Sequence, residues 1–311
     1  MIDLFPVDRL VLALFGPTAS GKSEVAAALA ERTGGEVVSA DAMQAYRGLP
    51  ILTNQPTRPT HLVGIWPLFH EGSVGEYAGL AHAAVDELLG GGRTPIVAGG
   101  TGLYLRAAIA ELELPSAAEP ETRRSIEHLY DEAGPAVTHL RLASLDATAA
   151  AAVHPNDRKR VVRALELAER GGSLAPARDR LWSEETRHPT LVFGLHLERG
   201  RLDERIRART RRMFERGVEE EVRTALAGPV SPAARKALGL DEVAELPRER
   251  AVEAIVARTS RYAAYQRKWM RRIPGLLTVD GGRPPGLIAD EIVLHVHRRV
   301  GSAAPEQARI P

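Results

Sequence analysis

The chain has 311 residues, 44% hydrophobic and 26% charged, with a net charge of +1 and no cysteine. That length allows one or two domains, and the composition is ordinary for a globular protein. Without cysteine there are no disulfides or thiolate-metal centres, and no apolar run reaches the roughly 18 residues of a membrane span.

The start, MIDLFPVDRL, lacks the basic region of a signal peptide, so cytoplasm is the expected location. The near-neutral total hides an asymmetry. Residues 1–120 hold 7 Lys/Arg against 13 Asp/Glu, while residues 121–311 hold 34 against 27. A basic half suits a polyanionic partner, and arginine-rich solvated helices would give the same count.

Leu10–Phe15 predicts a buried strand, followed by a glycine loop and a helix with Val25, Ala28 and Leu29 on its apolar face. Val37–Ala40 and Pro95–Ala98 predict further buried strands. His82–Leu89 predicts a helix stopped by Gly90, Gly91 and Gly92. Strands alternating with helices predict a parallel α/β sheet flanked by helices. Pro115–Pro120 has the look of a linker, and residues 116–188 read as a helical insertion. Within it, Asn156 or Asp157 can cap a helix through Val161, Val162, Leu165 and Ala168. Leu191–Leu195 is again strand-like, and Arg201–Leu226 predicts one long amphipathic helix. The expected organisation is a core of residues 1–115 and 189–300, the insertion 116–188, and a tail 301–311.

Gly16-Pro-Thr-Ala-Ser-Gly-Lys-Ser23 fits G-x-x-x-x-G-K-[ST] between a strand and a helix. Backbone N–H groups of Gly16, Thr18, Ala19, Ser20 and Gly21 can ring a phosphate at the helix N-terminus. Lys22 adds a point charge, and the Ser23 hydroxyl suits Mg²⁺. An ordinary NTPase also presents an aspartate at the end of a neighbouring strand. Here Pro95–Ala98 runs into Gly99, Gly100, Thr101 and Gly102 with no acid. The nearest carboxylate is Asp41, which fits a metal holder, a general base or a turn cap. Arg201, Arg205, Arg209, Arg212 and Arg216 share one helix face, either solvated or reaching a phosphate. Arg158, Lys159, Arg160 and Arg163 form a second basic cluster, suited to a nucleic-acid backbone.

Several segments resemble the tRNA dimethylallyltransferase (isopentenyltransferase) family, in order, from about Leu10 to Arg272. They are GPTASGKS, SADAMQAYRGLPILTNQP from Ser39, PIVAGGTGLYLRA from Pro95, HPNDRKRVVRALEL from His154, LDERIRARTRRMFERGVEEEV from Leu202, RKALGL from Arg235 and YQRKWMRR near Trp269. The phosphate loop is generic, whereas GGTGLYL with PNDxxRxxRALE is specific to the family. The resemblance implies transfer of a dimethylallyl group from dimethylallyl diphosphate to the exocyclic amine of adenosine 37 in a tRNA anticodon stem-loop. It implies Asp41 as the base, Thr101 beside diphosphate and target base, Mg²⁺ at Ser23, and Arg205 or Arg209 on the diphosphate. Its tRNA-contacting segments fall on Asp41, Ala42, Met43 and Gln44, Thr101, Arg123, Lys159, Arg160, Val161, Val162 and Arg163, and Arg235, Lys236, Ala237, Leu238, Gly239 and Leu240. No membrane partner is expected, and a monomer is.

Three positions depart from the family pattern. Ala42 stands where Ser is usual, Gln55 replaces the lysine of TAKP, and Tyr265 replaces an arginine before Gln266. The competing readings are a P-loop small-molecule kinase, an isopentenyltransferase acting on free adenine nucleotides, and a non-catalytic RNA-binding protein on the same scaffold.

Overall fold

A computed structural model describes residues 10–114, 120–175 and 180–302. The chain divides into two compact units, the smaller being Leu112–Arg180. The larger unit opens with β1 (Val11–Phe15), α1 (Lys22–Thr33), β2 (Glu36–Ser39), α2 (Val74–Gly90), β3 (Pro95–Gly99) and α3 (Gly102–Ile109). The smaller unit holds α4 (Pro120–Leu145), α5 (Ala147–Ala152) and α6 (Arg158–Ala168). The larger unit then resumes with β4 (Thr190–His196), α7 (Arg199–Glu215), α8 (Val218–Leu226), α9 (Leu240–Glu245), α10 (Arg248–Met270), β5 (Leu277–Asp280) and α11 (Pro285–Ser302).

The five strands form one parallel sheet in the order β2-β3-β1-β4-β5. β1 is buried at every position because alternate residues enter two cores. Val11, Ala13 and Phe15 join Tyr77, Ala81, Val85 and Leu105 from α2 and α3 on one face. Leu12 and Leu14 meet Val25, Leu29, Ile288 and Ile292 from α1 and α11 on the other. This sandwich aims the C-terminal ends of β1, β2 and β3 at one crevice, where open α/β sheets bind ligands.

Local chemistry sets several boundaries. Helix α2 starts eight residues before the periodic stretch begins, because the Ser73 hydroxyl accepts a bond from Glu76 N–H. The single helix expected over Arg201–Leu226 is two: Gly217, at φ +86°, ends α7 and starts α8. Residues 181–188, expected in the insertion, belong to the larger unit. Arg187 N–H donates to Ile109 O at 2.9 Å, and its guanidinium spans Asp86 and Glu111. The smaller unit has its own core, where Ile126, Tyr130 and Leu142 pack on Val161, Val162 and Leu165. Asp157 caps α6 through Arg160 N–H, and α4 bends at Gly134 before Pro135. Of the linker expected at Pro115–Pro120, residues 115–119 lie outside the described residues and Pro120 begins α4. The tail beyond 302 also lies outside them, and residues 301 and 302 complete α11. Among the described residues, no helix is long and apolar enough to cross a membrane.

Candidate functional site

The phosphate loop joins β1 to α1 and folds as its motif requires. Gly21 has φ +94°, and Ala19, a non-glycine residue, has φ +62°. That strain is small for alanine and sits where functional loops store it. A Cβ on Gly16 would come within 2.9 Å of Ser20 Oγ. This buried hydroxyl has no hydrogen-bond partner among the described residues, which is uncommon for an interior polar atom.

The loop borders a cleft of about 1080 Å³. Four of the five arginines predicted to share a helix face line it: Arg205, Arg209, Arg212 and Arg216. Arg201 is exposed and does not. Arg209 Nη1 donates to Thr18 Oγ1 at 2.8 Å, and Arg205 Nη1 to Ser20 O at 3.3 Å. Lys22 Nζ donates to Pro17 O at 2.8 Å. Burial pushes the Lys22 ammonium down to about 8; Asp41 opposes that fall and Arg209 adds to it. Burial likewise holds the Arg209 guanidinium below its ordinary range, against Asp41 and Glu24. Cations that are desolvated and crowded together favour an entering polyanion.

Asp41 follows β2 and lines the same cleft. Its Oδ1 accepts Met43 N–H at 3.0 Å, so the residue does close a local turn. That bond uses one oxygen; the other has no hydrogen bond among the described residues. Thr101 occupies the N-cap position of α3, yet its side chain makes no capping bond. Its Oγ1 lies 3.4 Å from the Tyr262 hydroxyl. Glycines flank it because neighbours press in: a Cβ on Gly99 would lie 2.1 Å from Ala40 O, and one on Gly102 2.2 Å from Trp269.

Helix α10 supplies residues that the sequence reading did not single out. Gln266 is buried; its Oε1 accepts Thr18 N–H and its Nε2 donates to Gly100 O, both at 2.8 Å. Tyr262 lines the cleft, and burial, reinforced by Asp41, pushes its phenol up to about 12. Gln266 falls within the YQRKWMRR segment, but no local periodicity shows that it or Tyr262 faces the cleft, because their partners lie far away in sequence.

The segments expected to meet tRNA divide by exposure. Lys159, Arg160, Arg235 and Lys236 are exposed, whereas Val161, Val162, Ala237 and Leu240 are core residues whose side chains cannot reach a ligand. Leu238 is half-buried, and Gly239 turns the chain at φ +100°. Arg123 and Arg163 both bind the fully buried Glu166, at 2.7 and 2.9 Å, so their charge is spent largely within the unit. Met43 packs on the core. Gln44 faces inward, accepting from Ser39 Oγ and donating to Asn54 O. Gln55, in place of the family's lysine, donates to Gln44 O and Tyr46 O and so braces the turn after Asp41.

Comparisons with known proteins agree with this architecture. The IPP transferase family model matches residues 44–273, and an isopentenyl transferase model matches residues 9–62. A tRNA dimethylallyltransferase of Salinispora tropica is 39% identical over 295 residues, covering 91% of each chain. One of Streptomyces coelicolor is 40% identical over 285 residues, 88% of this chain and 90% of that one. The solved full-length tRNA isopentenylpyrophosphate transferase of Bacillus halodurans superposes with a TM-score of 0.66 at 30% identity, covering 95% and 96% of the two chains. A eukaryotic dimethylallyltransferase, solved acting on tRNA, gives 0.78 at 25% identity, covering 97% of this chain and 82% of that one. The chain therefore belongs to the IPP transferase family of tRNA dimethylallyltransferases.

Proposed function

We propose that the protein, as a cytoplasmic monomer, transfers a dimethylallyl group from dimethylallyl diphosphate to the exocyclic amine of adenosine 37 in the tRNA anticodon loop. The observation that carries this reading is one cleft holding a phosphate loop, an arginine ladder and the carboxylate of Asp41. The relatives named tRNA dimethylallyltransferase, alike over nine-tenths of their length, favour it over a kinase or a free-nucleotide enzyme.

The diphosphate sits against the loop N–H groups, Lys22 and Arg209, with Thr18 and Arg205 shaping its cradle. The adenosine is unstacked from the loop, as base-modifying enzymes require. A new bond forms between the amine nitrogen and the allylic carbon, and the allylic C–O bond breaks. Its electron pair leaves with diphosphate, and the amine proton passes to Asp41. Thr101 and Tyr262 border the reacting centre. Mg²⁺ suits the donor set: Ser23 offers one exposed hard oxygen at the start of α1, and diphosphate supplies others. Among the described residues no cluster of three acids or histidines forms a separate metal cage. When bound, the ion would offset charge on the leaving group.

The deciding experiment incubates the protein with unmodified tRNA, dimethylallyl diphosphate and Mg²⁺, without ATP, then examines tRNA nucleosides by mass spectrometry. N6-dimethylallyl-adenosine is the expected product. Strict ATP dependence, or phosphorylation of a small molecule instead, contradicts the reading.

The smaller unit is assigned to the tRNA backbone through its exposed cations. Replacing Lys159 and Arg160 together by alanine is expected to weaken tRNA binding at low salt. Each lost phosphate contact should flatten the logarithmic salt dependence by about 0.7–0.9. Binding of diphosphate should be unchanged. Equal tRNA affinities for parent and variant across a salt series would remove these two residues from the interface.

A further inference from the structure

The exposed part of α10 carries an arrangement that the proposed chemistry has not used. Tyr265 is 54% exposed, a large share for an aromatic ring lying one helical turn from the cleft-lining Tyr262. It is not a loose surface side chain. Its ring stacks on Tyr262 at a centroid distance of 6.4 Å and an interplanar angle of 26°. Trp269 meets it edge-on at 6.5 Å and 71°.

Both supports are themselves fixed. Tyr262 lies beside Thr101, at 3.4 Å between hydroxyls. Trp269 packs over Gly102, where a side chain would clash, and against Trp182 at 4.8 Å. Trp182 is covered in turn by the Arg272 guanidinium, 3.8 Å from its ring centroid. One aromatic face is thus left open on a rigid aromatic ladder that begins at the cleft. Exposed cations flank it: Arg261 and Lys268 on the same helix, and Arg271 just past its end.

An open aromatic face with basic neighbours is the usual platform for an unpaired nucleobase above a phosphate backbone. The ladder starts at Thr101, so its outer rung lies one ring away from the group bordering the reacting centre. Extruding one adenosine from a loop leaves its neighbour without a stacking partner on that side. We infer that Tyr265 stacks on the nucleobase adjacent to the target adenosine and so contributes to the affinity for the unpaired loop. This rests on the transferase reading above. Tyr265 is a positioning residue, because it need not touch the reacting atoms.

The test compares Tyr265→Ala and Tyr265→Phe with the parent, using the full chain, unmodified tRNA and dimethylallyl diphosphate. Stacking on one aromatic side chain supports a rise of about 5- to 100-fold in KM for tRNA in Tyr265→Ala. KM for dimethylallyl diphosphate and the unfolding midpoint should stay near the parent values, since the ring is exposed. Tyr265→Phe, which keeps the face and loses only the hydroxyl, should remain within about twofold. A tRNA with 2-aminopurine next to the target should be quenched on binding the parent and Tyr265→Phe, and less so on binding Tyr265→Ala. Unchanged KM for tRNA in Tyr265→Ala, or an equal loss in Tyr265→Phe, overturns the assignment. If the parent itself does not modify tRNA, the functional reading fails and this inference with it; if only the variants match the parent, this inference alone fails.

Discussion

Asp41→Asn is expected to slow dimethylallyl transfer by about 10²- to 10⁴-fold, the usual contribution of a positioned general base, with tRNA affinity little changed. The amine lone pair of adenine is delocalised into the ring, so attack becomes easier as its proton leaves. Asparagine keeps the size of the side chain, and its carbonyl oxygen can still accept Met43 N–H, the bond that closes the turn. What it loses is the capacity of the second oxygen to take a proton. The substitution therefore separates three roles. A base loses chemical rate alone. A carboxylate that mainly organises Mg²⁺ gives a loss partly recovered at high Mg²⁺, together with weaker diphosphate binding. A residue that is only a turn cap leaves both stability and rate almost unaltered, because asparagine caps about as well as aspartate. Single-turnover rates at two Mg²⁺ concentrations decide; a rate within about threefold of the parent removes Asp41 from the mechanism.

Local signals and long-range ones were not equally legible in the sequence. The β1–loop–α1 unit was readable because three signals coincide: an apolar run, a glycine-lysine motif and a 3.6-residue period. The arginine face of α7 was readable for the same reason, and four of its five members do line the cleft. Its C-terminal boundary was not readable: α8 continues the amphipathic pattern, and only the φ of +86° at Gly217 separates the two helices. In the smaller unit the charge pattern showed a basic cluster without showing its counter-ion. Glu166 sits in the apolar stretch Ala164-Leu165-Glu166-Leu167, a pattern that could have marked it as buried and in need of arginine partners. The residues of α10 gave less. Gln266 meets Thr18 across 248 positions of sequence, and no periodicity carries such information.

That contact is the basis of the second large effect, expected on replacing Gln266 by alanine. The carboxamide can satisfy its two neighbours in one orientation only: Thr18 offers an N–H and Gly100 a carbonyl, so the oxygen must face the first and the nitrogen the second. Gly100 in turn must lack a side chain, because a Cβ there would lie 2.4 Å from Gln266 Nε2. One amide thus ties helix α10 to the phosphate loop and to the turn that presents Thr101. Gln266→Ala removes both bonds and leaves two backbone groups to be rehydrated. At about 1–3 kcal/mol for each unsatisfied group, with water from the cleft relieving part of the cost, a loss of about 2–4 kcal/mol in unfolding free energy is expected. Diphosphate affinity should fall as well, by about tenfold, because the loop is no longer held in the shape that receives the anion. Gln266→Glu sharpens the test. Its carboxylate can still accept Thr18 N–H, but it faces the Gly100 carbonyl with no proton to give. It should therefore be nearly as unstable as Gln266→Ala at neutral pH. On acidification the protonated acid regains a donor, so its stability relative to the parent should rise as pH falls, which alanine cannot do. Denaturant unfolding of the three proteins at pH 7 and pH 5 measures this directly. A Gln266→Ala variant as stable as the parent, or a Gln266→Glu variant with no pH-dependent recovery, would show that the two hydrogen bonds do not hold the site together.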